Sequence, residues 1–360
     1  MIWLEICKNP DRKRSSTRDE YSNSGVTVKS KHVAIIGAGL SGLTCAQKLT
    51  GKGHRVTIFD KGRGVAGRMS VRRTSDPSLQ FDHGAQYFTA RHPAFQQQVE
   101  KWIQQNVVAI WEGPFVSLEQ GEISAAPGQD SRYVGTPGMN ALCKAFANDL
   151  EIHCSQRVSQ MIKSGSSWKI VTDELTSNQI TEQPEVFDHI VLTIPPAQAI
   201  NLLPDNSSLH NTCKTAIMDP CRCVMLAFES SLNIDFGAAF VQNSPLRWIA
   251  CENSKPGRNS QYECWTLHAS PEWSQEYVDS THETTLPLLL DAFASALGKS
   301  LPDPVHTSSH RWLYAIPRNP LSEGSFQDAE NQITICGDWC HEARVEGAYM
   351  SGISAADKIL

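Results

Sequence analysis

No apolar run in the 360-residue chain approaches the roughly 18 residues that mark a membrane-spanning helix, so no such helix is expected. Positive charge is not in excess either: the formal net charge is −6, and a nucleic-acid partner would need a concentrated basic face. The basic cluster near the start, Asp11-Arg12-Lys13-Arg14, is broken by an acid and reads as a solvated tail. There is no Cys-x-x-Cys pair, and neither Cys221-Arg222-Cys223 nor Cys340-His341 has a second ligand pair at a metal-site spacing, so no metal is expected. The eleven cysteines form an odd set scattered through apolar segments, which fits reduced core residues of a cytoplasmic protein. Residues 1–30 lack an uninterrupted apolar stretch and a small-residue cleavage site, which argues against a secretion signal. Glu5, Asp11, Asp19 and Glu20 make the same stretch too acidic for a transit peptide, and it is expected to be a disordered N-terminal extension. No internal repeat or low-complexity tract is present.

What is present is a nearly complete dinucleotide-binding unit. His32-Val33-Ala34-Ile35-Ile36 reads as a strand, Gly37-Ala38-Gly39-Leu40-Ser41-Gly42 as a glycine turn opening an apolar helix, and Arg55-Val56-Thr57-Ile58-Phe59-Asp60 as the second strand and its terminal acid. Gly37 allows the tight turn, Gly39 lets the backbone approach a diphosphate, and Gly42 lets the helix pack closely on the sheet. The phosphates then meet the unpaired N–H groups of the helix start. Asp60 lies 18 residues beyond Gly42, where an acid accepts a bond from the adenosine ribose and repels a 2′-phosphate. Lys61-Gly62-Arg63-Gly64-Val65-Ala66-Gly67-Arg68 follows at once, so Lys61 and Arg68 are expected along the diphosphate, Arg68 as a two-pronged donor. No second glycine fingerprint exists for a separate NAD domain.

Further along, residues 132–150 read as strand, loop and helix. Strand-like runs at 151–156, 158–162, 168–172 and 189–193 suggest a β-meander inserted in an α/β sheet. Runs at 223–229, 238–242, 246–251 and 262–269 have an antiparallel pattern, followed by a helix at 285–297, a strand at 332–338 and a closing helix at 347–360. The nucleotide-binding part is therefore expected in three pieces, 31–80, 136–205 and 306–360, with 81–135 and 206–305 forming a substrate domain.

The run from Val33 to Arg68 resembles the flavoprotein family that includes the flavin amine oxidases, although its loop reads Ala66-Gly67-Arg68, one glycine short of that family's Gly-Gly-Arg. Three more stretches resemble the renalase branch: Phe81-Asp82-His83-Gly84-Ala85-Gln86-Tyr87-Phe88-Thr89-Ala90-Arg91, His310-Arg311-Trp312-Leu313-Tyr314-Ala315, and Gly337-Asp338-Trp339-Cys340-x4-Val345-Glu346-Gly347-Ala348-Tyr349-x-Ser351-Gly352. The resemblance covers nearly everything after residue 31. It implies an α/β fold in which a Rossmann-type FAD-binding domain carries an inserted α+β substrate domain, as in p-hydroxybenzoate hydroxylase and amine oxidases, and it implies noncovalent FAD. On it, Gly84, Ala85, Gln86, Val158, Gly337 and Asp338 join the cofactor set. Val345, Glu346 and Gly347 place a helix dipole at the flavin ring, where it would stabilise reduced flavin. His83, Gln86, His268, His310, Trp312 and Tyr314 become the candidates for the substrate face, the last three sharing one face of a strand.

The implied activity is removal of a hydride from dihydro-NAD(P) isomers, with electrons passed to O2 to give NAD(P)+ and H2O2. Such a substrate needs positioning more than a strong base. Flavin amine oxidation is the second reading, and a non-catalytic flavin-binding module is the third. The expected partners are a small molecule, a nicotinamide dinucleotide, and O2, with neither nucleic acid nor membrane, in a monomer or homodimer.

Overall fold

The structure, a computed structural model, describes residues 30–128, 130–173 and 185–360. The N-terminal extension lies outside the described residues except for Ser30. Its centre is a six-stranded sheet in the order Ser325–Asp328, Ile333–Cys336, His189–Leu192, His32–Ile36, Arg55–Phe59 and Glu151–His153. Every pairing in it is parallel except the edge pair Ser325–Asp328 with Ile333–Cys336. The β-branched, apolar sequences explain the central position, because strands buried on both faces carry no polar alternation. Alternate residues of the first strand feed two cores: Val33 and Ile35 face the helices, while Ala34 and Ile36 face the opposite cluster around Trp168 and Phe187.

Helices Leu40–Thr50 and Val345–Ile359 pack together on the first of these faces. Their approach requires Gly352, since a Cβ there would come within 2.4 Å of the Ser41 carbonyl oxygen. The expected meander forms its own antiparallel sheet, Val158–Ser164, Ser167–Thr172 and Val186–Phe187, over the other face. The helix expected within 132–150 is short, Ala141–Ala147, with the Met139 N–H held ahead of it by Asp82 Oδ1 at 2.9 Å and Asp149 at φ 64° beyond its end.

The second large sheet has seven strands: His306–Pro317, Met218–Phe228, Glu263–Ala269, Leu246–Cys251, Ala238–Val241, Phe115–Glu119 and Glu122–Ala125. Helix His282–Leu297, capped by the Thr281 side chain and closed by Gly298 at φ 66°, covers one face through Leu289 and Phe293. The other face looks toward the residues that follow Phe81. Two boundaries differ from expectation. His306–Pro317, placed with the nucleotide-binding part, is an edge strand of the seven-stranded sheet, paired with Met218–Phe228. Helix Pro93–Gln104, placed with the substrate part, packs Phe95 and Trp102 on Tyr349 of the closing helix. The ten described cysteines are all free thiols, and eight are buried. No helix among the described residues is long and apolar enough to cross a membrane.

Candidate active site

At the dinucleotide end each glycine has a separate job. Gly37 takes φ 113°, and a Cβ there would meet Thr193 Oγ1 at 2.5 Å. A Cβ on Gly42 would fall 2.1 Å from the Gly37 carbonyl oxygen, so this glycine sets the helix against the turn. Gly39 is different, since nothing lies within 4 Å of a Cβ placed there, and its helix has no side-chain cap. The open side of the helix start therefore presents N–H groups that the fold itself leaves to a ligand. Asp60 accepts from the Ala38 and Gly62 N–H groups, both at 2.6 Å, which pins the turn and holds the carboxylate beside it. Thr193, which sequence reasoning missed, donates its hydroxyl to the Ile36 and Gly37 carbonyls. Leu40 is buried, and Ser41 turns its hydroxyl into the core against Cys336 Sγ at 3.2 Å, so both serve through their backbone. Lys61 is exposed and reaches Gln198, and the Val158 side chain lies in the core.

Arg68 departs from expectation. Its guanidinium is forked onto Asp338, at 2.6 and 2.8 Å, and also donates to the Ala315 carbonyl at 2.9 Å. The pair ties the loop after the second strand to the end of Ile333–Cys336, two segments 270 residues apart. The Arg68 side chain is only half-buried, whereas Asp338 is buried, so the fork mainly supplies the counter-charge and hydrogen bonds that the enclosed carboxylate needs. Gly337, at φ 149°, delivers its N–H to Ser351 Oγ at 2.7 Å and frees the turn that aims Asp338. Glu346 is also committed: its Oε1 accepts from the Arg91 N–H at 3.0 Å and from the His92 N–H. It thus anchors the segment after the Phe81 motif to the first turn of the closing helix. Gly347 is required because a Cβ would lie 2.0 Å from the Glu342 carbonyl oxygen.

Gly84 was expected to permit close approach of the flavin ring. The close contact it makes is with its own chain, a Cβ there falling 2.0 Å from the Arg68 carbonyl oxygen, which also accepts from the Ala85 N–H at 2.9 Å. Gln86 is buried and committed within the fold: it donates to the Asp82 carbonyl and accepts from Lys255 Nζ at 3.1 Å. His83 is the centre of a ring cluster, 4.9 Å from His310 and 5.0 Å from Trp312 between ring centres, with His310 and Trp312 4.3 Å apart. Its carbonyl accepts from Trp312 Nε1 at 2.9 Å and lies 3.2 Å from His268 Nε2. His268 is therefore a clamp on the His83 backbone, while Tyr314, on the strand of His310 and Trp312, makes no ring contact to the cluster among the described residues. Burial first, then His310 and Arg72, drives the His83 pKa down to about 3. Burial and Arg72 bring His310 to about 4, and burial brings His268 to about 4. All three imidazoles are neutral near neutral pH.

Behind this wall lies a network that sequence reasoning did not find. Asp82 and Lys255 have fully buried side chains 3.3 Å apart; Lys255 also bonds Glu252 at 3.0 Å, and Arg258 bonds Asp82. Thr266 donates to Glu252 at 2.6 Å. Burial raises the Glu252 pKa; it acts the same way on Asp82, but Lys255 and Arg258 overcome it and hold that carboxyl below its usual range. Two carboxylates and two cations balance, so neither acid is left to meet a substrate. The run Glu252-Asn253-Ser254-Lys255-Pro256-Gly257-Arg258 looks like an exposed turn, and only its unusual pair of cations hints otherwise.

Residues 35–103 match the NAD(P)-binding Rossmann-like domain, and residues 108–360 match the family described as flavin containing amine oxidoreductase. The chain belongs to the flavin containing amine oxidoreductase family. An FAD cofactor fits the open Gly39 helix start, Asp60 and the Arg68–Asp338 clasp. Cyclohexylamine oxidase from Brevibacterium oxydans IH-35A superimposes with a TM-score of 0.69 at 13% identity, covering 92% of this chain and 98% of that one. Wild-type putrescine oxidase bound to putrescine gives 0.64 at 14% identity, covering 92% and 99%. These likenesses establish the shared fold. Among curated relatives, an L-amino acid oxidase from Crotalus durissus cumanensis is 44% identical over 59 residues, 16% of this chain and 12% of that protein. The L-amino-acid oxidase of Vipera ammodytes ammodytes is 29% identical over 100 residues, 28% of this chain and 18% of that protein. The chain thus aligns with less than a fifth of the length of either relative.

Proposed function

We propose that this oxidoreductase acts on a reduced nicotinamide dinucleotide, a dihydro-NAD(P) isomer reduced at a non-standard ring carbon. The isomer, O2 and one proton give NAD(P)+ and H2O2. The observation that carries this reading is the wall of neutral planar rings, His83, His310 and Trp312, backed by acids that are already neutralised. A dihydronicotinamide carries a transferable hydride and needs no base, only a flat surface and a fixed position. Neutral imidazoles suit a ring that becomes cationic, because a protonated histidine beside it would oppose the product. Amine oxidation would need a neutral amine held between aromatic walls, and Asp82 and Glu252, held by Lys255 and Arg258, offer an ammonium no free carboxylate.

FAD, when bound, supplies the two-electron acceptor that O2 reoxidises. The chain's own residues hold it and shape the pocket. In this reading Gly39 and the helix start lie at the diphosphate, Asp60 at the adenosine ribose, Asp338 at the ribityl end, and the positive end of helix Val345–Ile359 at the ring. Trp312 and His268 fix His83 through its carbonyl, so the wall keeps its shape as substrate enters.

Oxidation of an amine or amino acid is the second reading, favoured by the family match and by the L-amino acid oxidase segments. Oxygen uptake separates the two. The dihydronicotinamide isomers are expected to drive O2 consumption with one H2O2 and one NAD(P)+ formed per turnover, while cyclohexylamine, putrescine and L-amino acids give only background. Uptake with amines or amino acids alone would overturn the proposal.

A further inference from the structure

Arg72 stands beside the ring wall without a counter-charge. Arg311, which alternation puts on the opposite face of the strand from His310 and Trp312, is paired with Asp279, and Arg318 is paired with Asp219. Arg68 has Asp338, Arg258 has Asp82, and Arg222 is held by the carbonyls of Tyr277, Val278 and Ser280. Among the described residues Arg72 pairs with no carboxylate, and its one side-chain partner is the ring nitrogen His310 Nδ1, 3.4 Å from Nη2. The chain fixes this place. Arg72 pairs with Phe81 and Arg73 with Gln80 in a two-stranded hairpin, so the neighbouring arginines point to opposite faces, Arg73 onto Gln80 and Arg72 onto His310. Phe81 stacks on His306, 5.9 Å between ring centres, and holds the hairpin against the strand His306–Pro317.

This part of the wall is open. Arg72, His310, Trp312 and Tyr314 are each only half-buried, while His83 is buried with its Nδ1 lacking any partner, a polar atom that the fold leaves to a ligand. The guanidinium is one imidazole away from His83, since the His83 and His310 ring centres are 4.9 Å apart, and its charge helps to lower the pKa of both rings. A bare cation here works against the chemistry read above. Hydride loss makes the nicotinamide ring cationic, and an unscreened guanidinium beside it opposes that charge as a protonated histidine would. A phosphate on the guanidinium cancels the charge and takes two of its in-plane N–H donors. In a nicotinamide nucleotide the first phosphate is one ribose away from the reacting ring, a short reach that suits an arginine one imidazole from the centre of the wall.

We propose that Arg72 recognises the substrate phosphate next to the nicotinamide riboside, an inference that rests on the substrate reading above. The site then selects nucleotides over ribosides and does not depend on the adenosine half. The FAD-loaded wild type, R72K and R72M are compared in two ways. Calorimetry measures binding of nicotinamide mononucleotide, the oxidised product with that one phosphate, against nicotinamide riboside. Steady-state kinetics compare the dihydronicotinamide mononucleotide isomers with the corresponding ribosides. The mononucleotide is expected to bind the wild type, and to bind R72M at least about tenfold more weakly, with R72K between them because lysine keeps the charge but not the fork. The wild-type preference for mononucleotide over riboside should collapse in R72M through KM rather than kcat. Flavin absorbance should show wild-type FAD content in both variants, and loss of FAD from R72M would give the arginine to the cofactor and overturn the proposal. Equal mononucleotide binding by wild type and R72M, absence of binding to the wild type, or an equal loss on both substrates through kcat also overturns it. Arg72-dependent binding in an enzyme that oxidises no dihydronicotinamide keeps the anion site and overturns the activity reading. Turnover of the isomers with R72M indifferent does the reverse.

Discussion

Removing one charge from the buried quartet should loosen the whole wall behind the site. Asp82→Asn keeps the shape and the bond from the Met139 N–H, but leaves Lys255 and Arg258 facing only Glu252 in a region where Asp82 and Lys255 have no exposure. Breaking a buried pair this way costs about 3–5 kcal/mol, mostly from the uncompensated cation. With an m-value of about 3 kcal/mol/M, the urea midpoint should drop by about 1–1.7 M. A second variant supplies the control. In D82N/K255M the quartet is balanced again, and Met lies against Trp111, where the Lys255 ammonium sits 5.3 Å from the ring centre. The double variant should therefore be at least about 2 kcal/mol more stable than the sum of the single changes predicts. Acid adds an independent check: the Asp82 carboxyl is held below its ordinary value of 3.8, so its stabilising effect is present above that value and is lost as pH falls through the native one. The gap between wild type and D82N should therefore narrow in acid. The assay is equilibrium urea unfolding followed by tryptophan fluorescence. A D82N cost under about 1 kcal/mol, or a double variant no better than additive, would refute the charge-balance argument.

Other consequences are equally specific. Gly39→Ala should fold with wild-type stability, since its Cβ meets nothing, yet bind FAD at least about tenfold more weakly by tryptophan quenching, whereas Gly42→Ala should lose stability itself. Asp338→Asn removes the partner of Arg68 and should weaken FAD binding in the same titration by about tenfold or more, with Arg68→Lys milder because it retains one prong. His83 and His189, both lowered to about 3, lie below the ordinary 6.5. Their contribution is complete above that ordinary value and falls as pH drops toward the native ones, so the two together should steepen acid destabilisation by up to about 3 kcal/mol per pH unit in that window. H83N/H189N should flatten the slope in a pH series of urea midpoints.

The parts of the fold that sequence makes legible are those written locally. The Gly37 to Gly42 turn, the acid at Asp60 and the apolar strands carry their instructions within a few residues, and the structure places them together. The expected runs of the seven-stranded sheet also appear, yet 306–317 was assigned to the wrong part because strand partners are chosen across the chain and not by proximity to a motif. The site was less legible for the same reason. Arg68 reads as a free phosphate ligand until Asp338 arrives from 270 residues away. Asp82 and Lys255 are 173 residues apart, and each alone resembles a solvated charge. His268 and Gln86 carry the right chemistry for a substrate face, but hydrogen bonds to the His83 carbonyl and to Lys255 give them to the framework. The setting of Arg72 is invisible in one dimension because His310 comes to it from 238 residues away.

The most direct measurement is anaerobic stopped-flow absorbance of the FAD-loaded protein mixed separately with 2- and 6-dihydronicotinamide dinucleotides, ordinary NADH, primary amines and L-amino acids. The account predicts rapid bleaching of the oxidised flavin band by the non-standard isomers, with slow or absent bleaching by the rest. Rapid bleaching by amines or amino acids, with none by the isomers, would contradict it.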